Sequence, residues 1–301
     1  MAVSEIPATG VAAAHGPARK RRRKGPAKLG RKNYLIAIYL AVAWLAMMIA
    51  AAILAPLLTP YDYTAINLGE RLVGPGQAGH FLGTDHLGRD VFSRLIMSVR
   101  LTMLVATMGT VIGAVLGTML GMAAAHFRGW FDDLIMVFVD FQASMPFMII
   151  ALAVLAFIGN NLVIFIILLG FQGWEKYARI ARGMTLSANS QSYTEALSSL
   201  GLSSFRIYWR HILPNISSAL IVNLTLNFPE TILWESALSF LGLGVQPPMT
   251  SLGAMLGYGR DYLVDAWWIS FFAGLVIFIT TLAMSLFGDY VRDRFDPTLK
   301  T

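Results

Sequence analysis

Three carboxylates stand inside stretches that otherwise carry little or no charge: Asp140, Glu230 and Glu235. A carboxylate surrounded by hydrocarbon costs several kcal/mol unless it is paired, hydrated or protonated. The three therefore line a wetted path, hydrogen-bond between neighbouring helices, or relay protons. Pro229, directly before Glu230, removes a backbone donor and frees a carbonyl one turn earlier, which favours a bent helix with a polar side. Other chemistry is thinly supplied. The chain has no cysteine, so it can form no disulfide, thiolate metal site or cysteine nucleophile. Its five histidines are scattered, with no His-Glu-x-x-His and no Gly-x-Ser-x-Gly. No Gly-Lys dipeptide occurs, hence no P-loop lysine. The sequence offers no catalytic residues and no metal site, and any ATP consumed must be bound by another chain.

The elements that carry these acids are apolar. Of 301 residues, 56% are hydrophobic and 13% charged, with a mean hydropathy of +0.62. A soluble domain carries roughly 25% charged residues, so composition excludes a disordered chain and points to an all-α polytopic membrane protein. Charge-free runs cover 34–58, 101–125, 141–174 and 267–288, and 216–241 is interrupted only around Pro229, Glu230 and Glu235. A bilayer crossing needs about 20 residues. The 141–174 run holds two helices joined by a turn at Gly159-Asn160-Asn161. The first begins near Leu134 and the second continues through Tyr177 and Ala178, giving six transmembrane helices. The first run is too long for a cleavable signal and reads as a signal anchor.

Lysine and arginine set the orientation. Residues 1–33 hold nine, including the run Arg19-Lys20-Arg21-Arg22-Arg23-Lys24. With both termini cytoplasmic, 18 of the 23 basic residues lie inside, against Arg71, Arg89, Arg94, Arg100 and Arg260 outside. The basic run is topogenic charge in contact with anionic lipid rather than a nucleic-acid patch. The chain then divides into a basic tail 1–33, a first span 34–58 and an extracytoplasmic segment 59–96. A five-helix membrane unit follows at 97–288, with a large cytoplasmic loop at 175–214, and a tail at 289–301 ends the chain.

Gly109, Gly113, Gly117 and Gly121 fall every four residues on one face of the second helix and predict close backbone contact with another helix. In the cytoplasmic loop, Ser192 with Glu195 three residues on reads as a capping box. Gly201 occupies the place of a left-handed terminating residue. Ser203 or Ser204 opens a second short helix that Pro214 stops. The elbow so formed presents Ala196, Leu197, Leu200 and Leu202, as a docking knob or as an interfacial element. Outside the membrane, Gly74-Pro75-Gly76 marks a turn. Asp85, Arg89 and Asp90 either pair to fix the segment or make extracytoplasmic contacts. Trp267-Trp268 reads as an interface anchor.

Glu195-Ala196-Leu197, three residues, Gly201, then His211-Ile212-Leu213-Pro214 resembles the EAA---G---------I-LP loop of binding-protein-dependent ABC importer permeases. Leu197 replaces the second alanine of that pattern, and His211 stands in an isoleucine place. His80-Phe81-Leu82-Gly83-Thr84-Asp85-His86-Leu87-Gly88-Arg89-Asp90 resembles the GTD-x-x-GRD segment of dipeptide/oligopeptide/nickel permeases of the C-subunit type. The stretch 235–248, from Glu235 through Gly242-Leu243-Gly244 to Pro247-Pro248, resembles their fifth helix end. Gly288-Asp289, Arg292-Asp293 and Asp296-Pro297 resemble their tail. The resemblance runs from residue 34 to residue 299.

It implies a type I ABC importer permease fold in a bacterial cytoplasmic (inner) membrane. The implied partners are a second homologous permease, two ATP-binding subunits that hold ATP and Mg, an extracytoplasmic solute-binding protein, and membrane lipid. No nucleic acid is implied. The implied ATPase-coupling residues are Glu195, Ala196, Leu197, Leu200, Gly201, Leu213 and Pro214, and the implied cargo is a peptide or similar small solute. The rival is a proton-coupled secondary transporter relaying through Asp140, Glu230 and Glu235. Such carriers often carry an inverted internal repeat, and none is found here. An intramembrane enzyme is a distant third.

Overall fold

The computed structural model describes residues 31–295; the basic run 19–24 and Asp296-Pro297 lie outside them. Among the described residues the chain is mostly helical, with no strand beyond two isolated bridges, Gln77 with His80 and Thr84 with Asp90. Helix α1 (Arg31–Leu58) leads by way of an irregular segment into α2 (Val91–Phe127). After α2 come α3 (Gly129–Ser144), α4 (Phe147–Ile158), α5 (Leu162–Gly170) and α6 (Trp174–Asn189). Two short helices, α7 (Ser192–Ser199) and α8 (Ser204–Ile207), precede α9 (Leu213–Phe240). The chain closes with α10 (Leu252–Gly259) and α11 (Trp268–Phe295).

Four helical stretches are long and apolar enough to cross a membrane: α1, α2, α8 through α9, and α11. The α3–α4 pair makes a fifth if its 95° bend is one broken span. That bend corrects the single straight helix expected from Leu134. Pro146 supplies no amide donor and excludes the preceding residue from helical geometry, so Met145 turns extended with φ −95° and ψ 136°.

Two other expectations change. Hydropathy ran the fourth helix continuously into Tyr177, but the chain breaks at Phe171–Gly173, where Gly173 takes a left-handed φ of 89°. The stretch 175–214, read as a loop, is helical over its first part: α6 continues to Asn189 and lies along α2. Helix α2 begins at Val91, ahead of the charge-free run, because Asp90 accepts from the Ser93 amide at 2.7 Å and caps it.

Helices α1, α2, α9, α10 and α11 share one core, built on Met48, Val91, Val99, Ile232, Met255 and Trp268. A second core joins α2, α4, α5 and α9 around Val105, Phe147, Phe165 and Leu238. Tyr39, Leu40, Ile53, Val115, Met119 and Phe278 point outward, as side chains in contact with lipid do.

Candidate functional site

The elbow grows out of α6. Only Ser190 and Gln191 separate α6 from α7. The capping box is not made: Gln191 occupies the cap, and Ser192 is the first helical residue with no side-chain cap bond. Thr194 reaches back instead, its hydroxyl donating to the Ala188 carbonyl at 2.8 Å. That bond sets the start of α7 one residue earlier. At the other end Gly201 has φ 78°. The Leu202 amide donates to Leu197 O at 3.3 Å and the Gly201 amide to Ser198 O at 3.0 Å, a Schellman closure.

Leu197 and Leu202 turn inward onto Ala181, Ala188, Ile207 and Ile212, so they fix the elbow rather than decorate it. Glu195, Ala196 and Leu200 face out. Phe205 and Trp209 join them on the outside, with ring centroids 6.2 Å apart. The sequence reading missed this pair, although an exposed aromatic recurring after four residues beyond a span was a legible signal. Pro214 does not stop the second helix. Residues Tyr208–Ile212 form a π-turn that runs straight into α9, with Leu213 half-buried and Pro214 in the first turn.

The glycine face of α2 meets α5 and α6. A Cβ at Gly109 would lie 3.1 Å from the Leu169 Cβ, and one at Gly113 would lie 2.7 Å from the Gly170 carbonyl oxygen. At Gly117 and Gly121 the carbonyls of Trp174 and Ala178 occupy the space a side chain would need. Helix α6 carries three cations on successive turns, each paired to another helix. Lys176 meets Glu230 of α9 at 2.6 Å, Arg179 meets Asp140 of α3 at 2.8 Å, and Arg182 grips Asp132 of α3 through both oxygens at 2.5 and 2.6 Å. Asp140 and Glu230 are thus brought to one helix. Glu235 is not: its carboxyl, fully buried, takes Thr102 at 3.2 Å and Ser239 at 2.8 Å. Thr102 in turn accepts from the Leu252 amide at 3.1 Å, so Glu235 joins α2, α9 and α10.

Residues 59–90 are fixed from within. Asp85 pairs with Arg89 at 2.7 Å and Arg94 at 3.4 Å, and accepts from the Leu87 and Arg89 amides. Asp90 pairs with His80 at 2.9 Å rather than with Arg89. Both aspartates are buried, while Arg89 keeps some surface, which supports the internal-pairing role over outward contact. Trp268, expected as an anchor, is buried and donates to Thr84 O at 3.1 Å; Trp267 beside it stays half-exposed. Burial holds the His86 imidazole below its ordinary pKa, stacked on Tyr262 with centroids 5.2 Å apart.

Residues 117–301 match the family of binding-protein-dependent transport system inner membrane components. The glutathione transport system permease protein GsiD of Pectobacterium atrosepticum is 36% identical over 255 residues, 85% of either chain. The chain belongs to this family. A putative peptide transport system permease protein of Brucella suis is 38% identical over 270 residues, 90% of this chain and 89% of that one. The di/tripeptide transport system permease protein DppC of Pseudomonas aeruginosa is 36% identical over 259 residues, 84% of this chain and 86% of that one. Among solved structures, a chain of the MetNI methionine ABC transporter in inward-facing conformations superposes with a TM-score of 0.56. It shares 17% identity and covers 68% of this chain and 97% of its own, a likeness of fold. Membership in this family of permeases removes the proton-coupled carrier reading.

Proposed function

We propose that this permease is one membrane half of an ABC importer for di- or oligopeptides, glutathione included. It sits in a bacterial cytoplasmic membrane beside a second homologous permease. An extracytoplasmic binding protein delivers the peptide at the outer segment, and two partner subunits bind ATP and Mg. The chain crosses the bilayer six times, counting α3–α4 and α5–α6 each as one broken span, with both ends in the cytoplasm. The distribution of lysine and arginine supports that orientation. Asp140 and Glu230 line the translocation path.

The observation that carries the reading is the elbow. Its outer face of Glu195, Ala196, Leu200, Phe205 and Trp209 stands free at the joint between α6 and α9, two helices that reach into the membrane unit. A protein seated there holds both helices at once. Relatives named for peptide and glutathione transport supply the cargo.

Gly201 tests it. Nothing lies within 4 Å of a Cβ built there, so only the left-handed backbone opposes substitution, at about 1–2 kcal/mol. Gly201→Trp would still fold, but with a distorted elbow carrying a bulky group on its docking face. In a mild-detergent pull-down the native chain brings a second permease and two P-loop ATPases, whereas Gly201→Trp loses the ATPases. A chain that purifies alone, yet moves solute into liposomes on a proton gradient without ATP, overturns the proposal.

A further inference from the structure

The ion pairs on α6 are unequal, and the inequality points to a ligand. Arg182 and Asp132 are 32% and 12% exposed and share two hydrogen bonds. Lys176 and Glu230 are each 40% exposed, while Arg179 and Asp140 are 47% and 70% exposed. Glu230 lies deep in α9, sixteen residues beyond Pro214, and Lys176 falls between Trp174 and Ala178, whose carbonyls meet the glycine face of α2. Ions at such depth are costly when turned toward acyl chains. This side of α6 therefore turns away from lipid.

An exposed ion pair contributes little to stability. Its partners can be exchanged for other charges at little cost, which a bidentate and largely buried pair such as Arg182 with Asp132 resists. Beside the first exchangeable pair stand two amide groups. Gln172 donates to Glu230 at 3.1 Å through its nitrogen, while its buried carbonyl oxygen has no donor. Asn227, one turn before Glu230, is buried against Gly173 and Tyr177, its amide closed off from the surface. Buried amide oxygens without donors are rare, and the Gln172 oxygen is an acceptor that a peptide N–H or ammonium complements.

We propose that Glu230 and Asp140, Lys176 and Arg179, with Gln172 beside Glu230, form a weak transit subsite for zwitterionic peptides, those with a free α-ammonium and a free α-carboxylate. The ligand's ammonium displaces Lys176 from Glu230, and its carboxylate displaces Asp140 from Arg179. Gln172, bonded to Glu230, stands at the ammonium end of the peptide. Lys176 and Arg179 are three residues apart, about 4.5 Å along the helix axis, and a dipeptide extends about 7 Å, so one short peptide reaches both pairs. Glutathione, with its own ammonium and carboxylates, belongs to the same chemical class. This inference rests on the peptide-importer reading and assigns the chain's own contacts within it.

The test uses the assembled importer in lipid nanodiscs, without binding protein, so that the specificity of that protein does not enter. Alanyl-photoleucine at millimolar concentration is crosslinked by light and its attachment mapped by mass spectrometry. Uptake of the same dipeptide by proteoliposomes supplied with binding protein is measured in parallel. The expected result is attachment within 171–180 and 226–231, competed at least tenfold better by alanyl-alanine than by its N-acetylated, C-amidated form. Glu230→Gln and Arg179→Gln lower attachment at least fivefold in complexes that still purify whole. Attachment elsewhere, or equal competition by the blocked peptide, in an importer that does take up the dipeptide overturns the subsite alone. An importer that takes up no dipeptide overturns the peptide reading and the subsite with it.

Discussion

Glu235 has no exposed surface, and its neighbours are the hydroxyls of Thr102, Ser236 and Ser239 rather than a cation. Donors hold this carboxyl, and it holds them in return: Ser239 also accepts from the Val245 amide at 3.3 Å, and Thr102 accepts from the first residue of α10. Removing the acceptor leaves buried hydroxyls unpaired at about 1–3 kcal/mol each. Glu235→Leu is expected to lower the melting temperature of the detergent-solubilised protein by several degrees. Glu235→Gln, which keeps one acceptor oxygen, lowers it by less than half as much. Equal melting of Glu235→Leu and the native chain in a fluorescence-detected thermal scan would show that the hydroxyl network contributes nothing. Such a role was not separable in the sequence from that of Asp140 or Glu230, since all three are acids in apolar runs. Only the neighbours brought in from α2 and α6 divide them.

Among the helices, the contact of α2 with α6 is the one most directly written in the chain. Glycine every fourth residue lets another backbone approach closely, and at Gly117 and Gly121 carbonyl oxygens of α6 fill the places of the absent side chains. Gly117→Ala pushes a methyl group into the Trp174 carbonyl, which backbone cannot easily yield. The expected outcome is loss of most folded protein on size-exclusion chromatography. Gly183→Ala, on α6 with open space around it, leaves the yield unchanged. Comparable yields for both would remove close packing as the reason for the glycines. The breaks in the helices were harder to see. Hydropathy counts apolar residues and is blind to φ, so the left-handed Gly173 hid inside a smooth apolar run. The capping box at Ser192 failed for a similar reason: the motif is local, whereas the start of α7 is set by a bond from Thr194 to Ala188 on the preceding helix. The stretch from Leu134 was legible as helical but not as right-angled, although Pro146 was in plain view.

For the molecule as a whole, the absence of cysteine makes orientation directly measurable. A single cysteine at Ser192 on the elbow is expected to react with a membrane-impermeant maleimide only after the inner side is opened. One at Gln77, exposed in the segment before α2, reacts from outside in intact cells. The reverse pattern would invert the topology and place the elbow away from any cytoplasmic ATPase.

The π-turn at Tyr208–Ile212 has a mechanical consequence. Because the chain does not pause at Pro214, α8, the π-turn and α9 form one rod of 37 residues, about 55 Å long. Its near end is the elbow, and its far portion carries Glu235 and the tether to α10. On a rod of that length a tilt of about 5° sweeps the opposite tip through about 5 Å. Leverage of this kind lets a nudge of a few degrees at one membrane face open or shut an aperture of molecular width at the other, with no side chain needing to change its rotamer on the way.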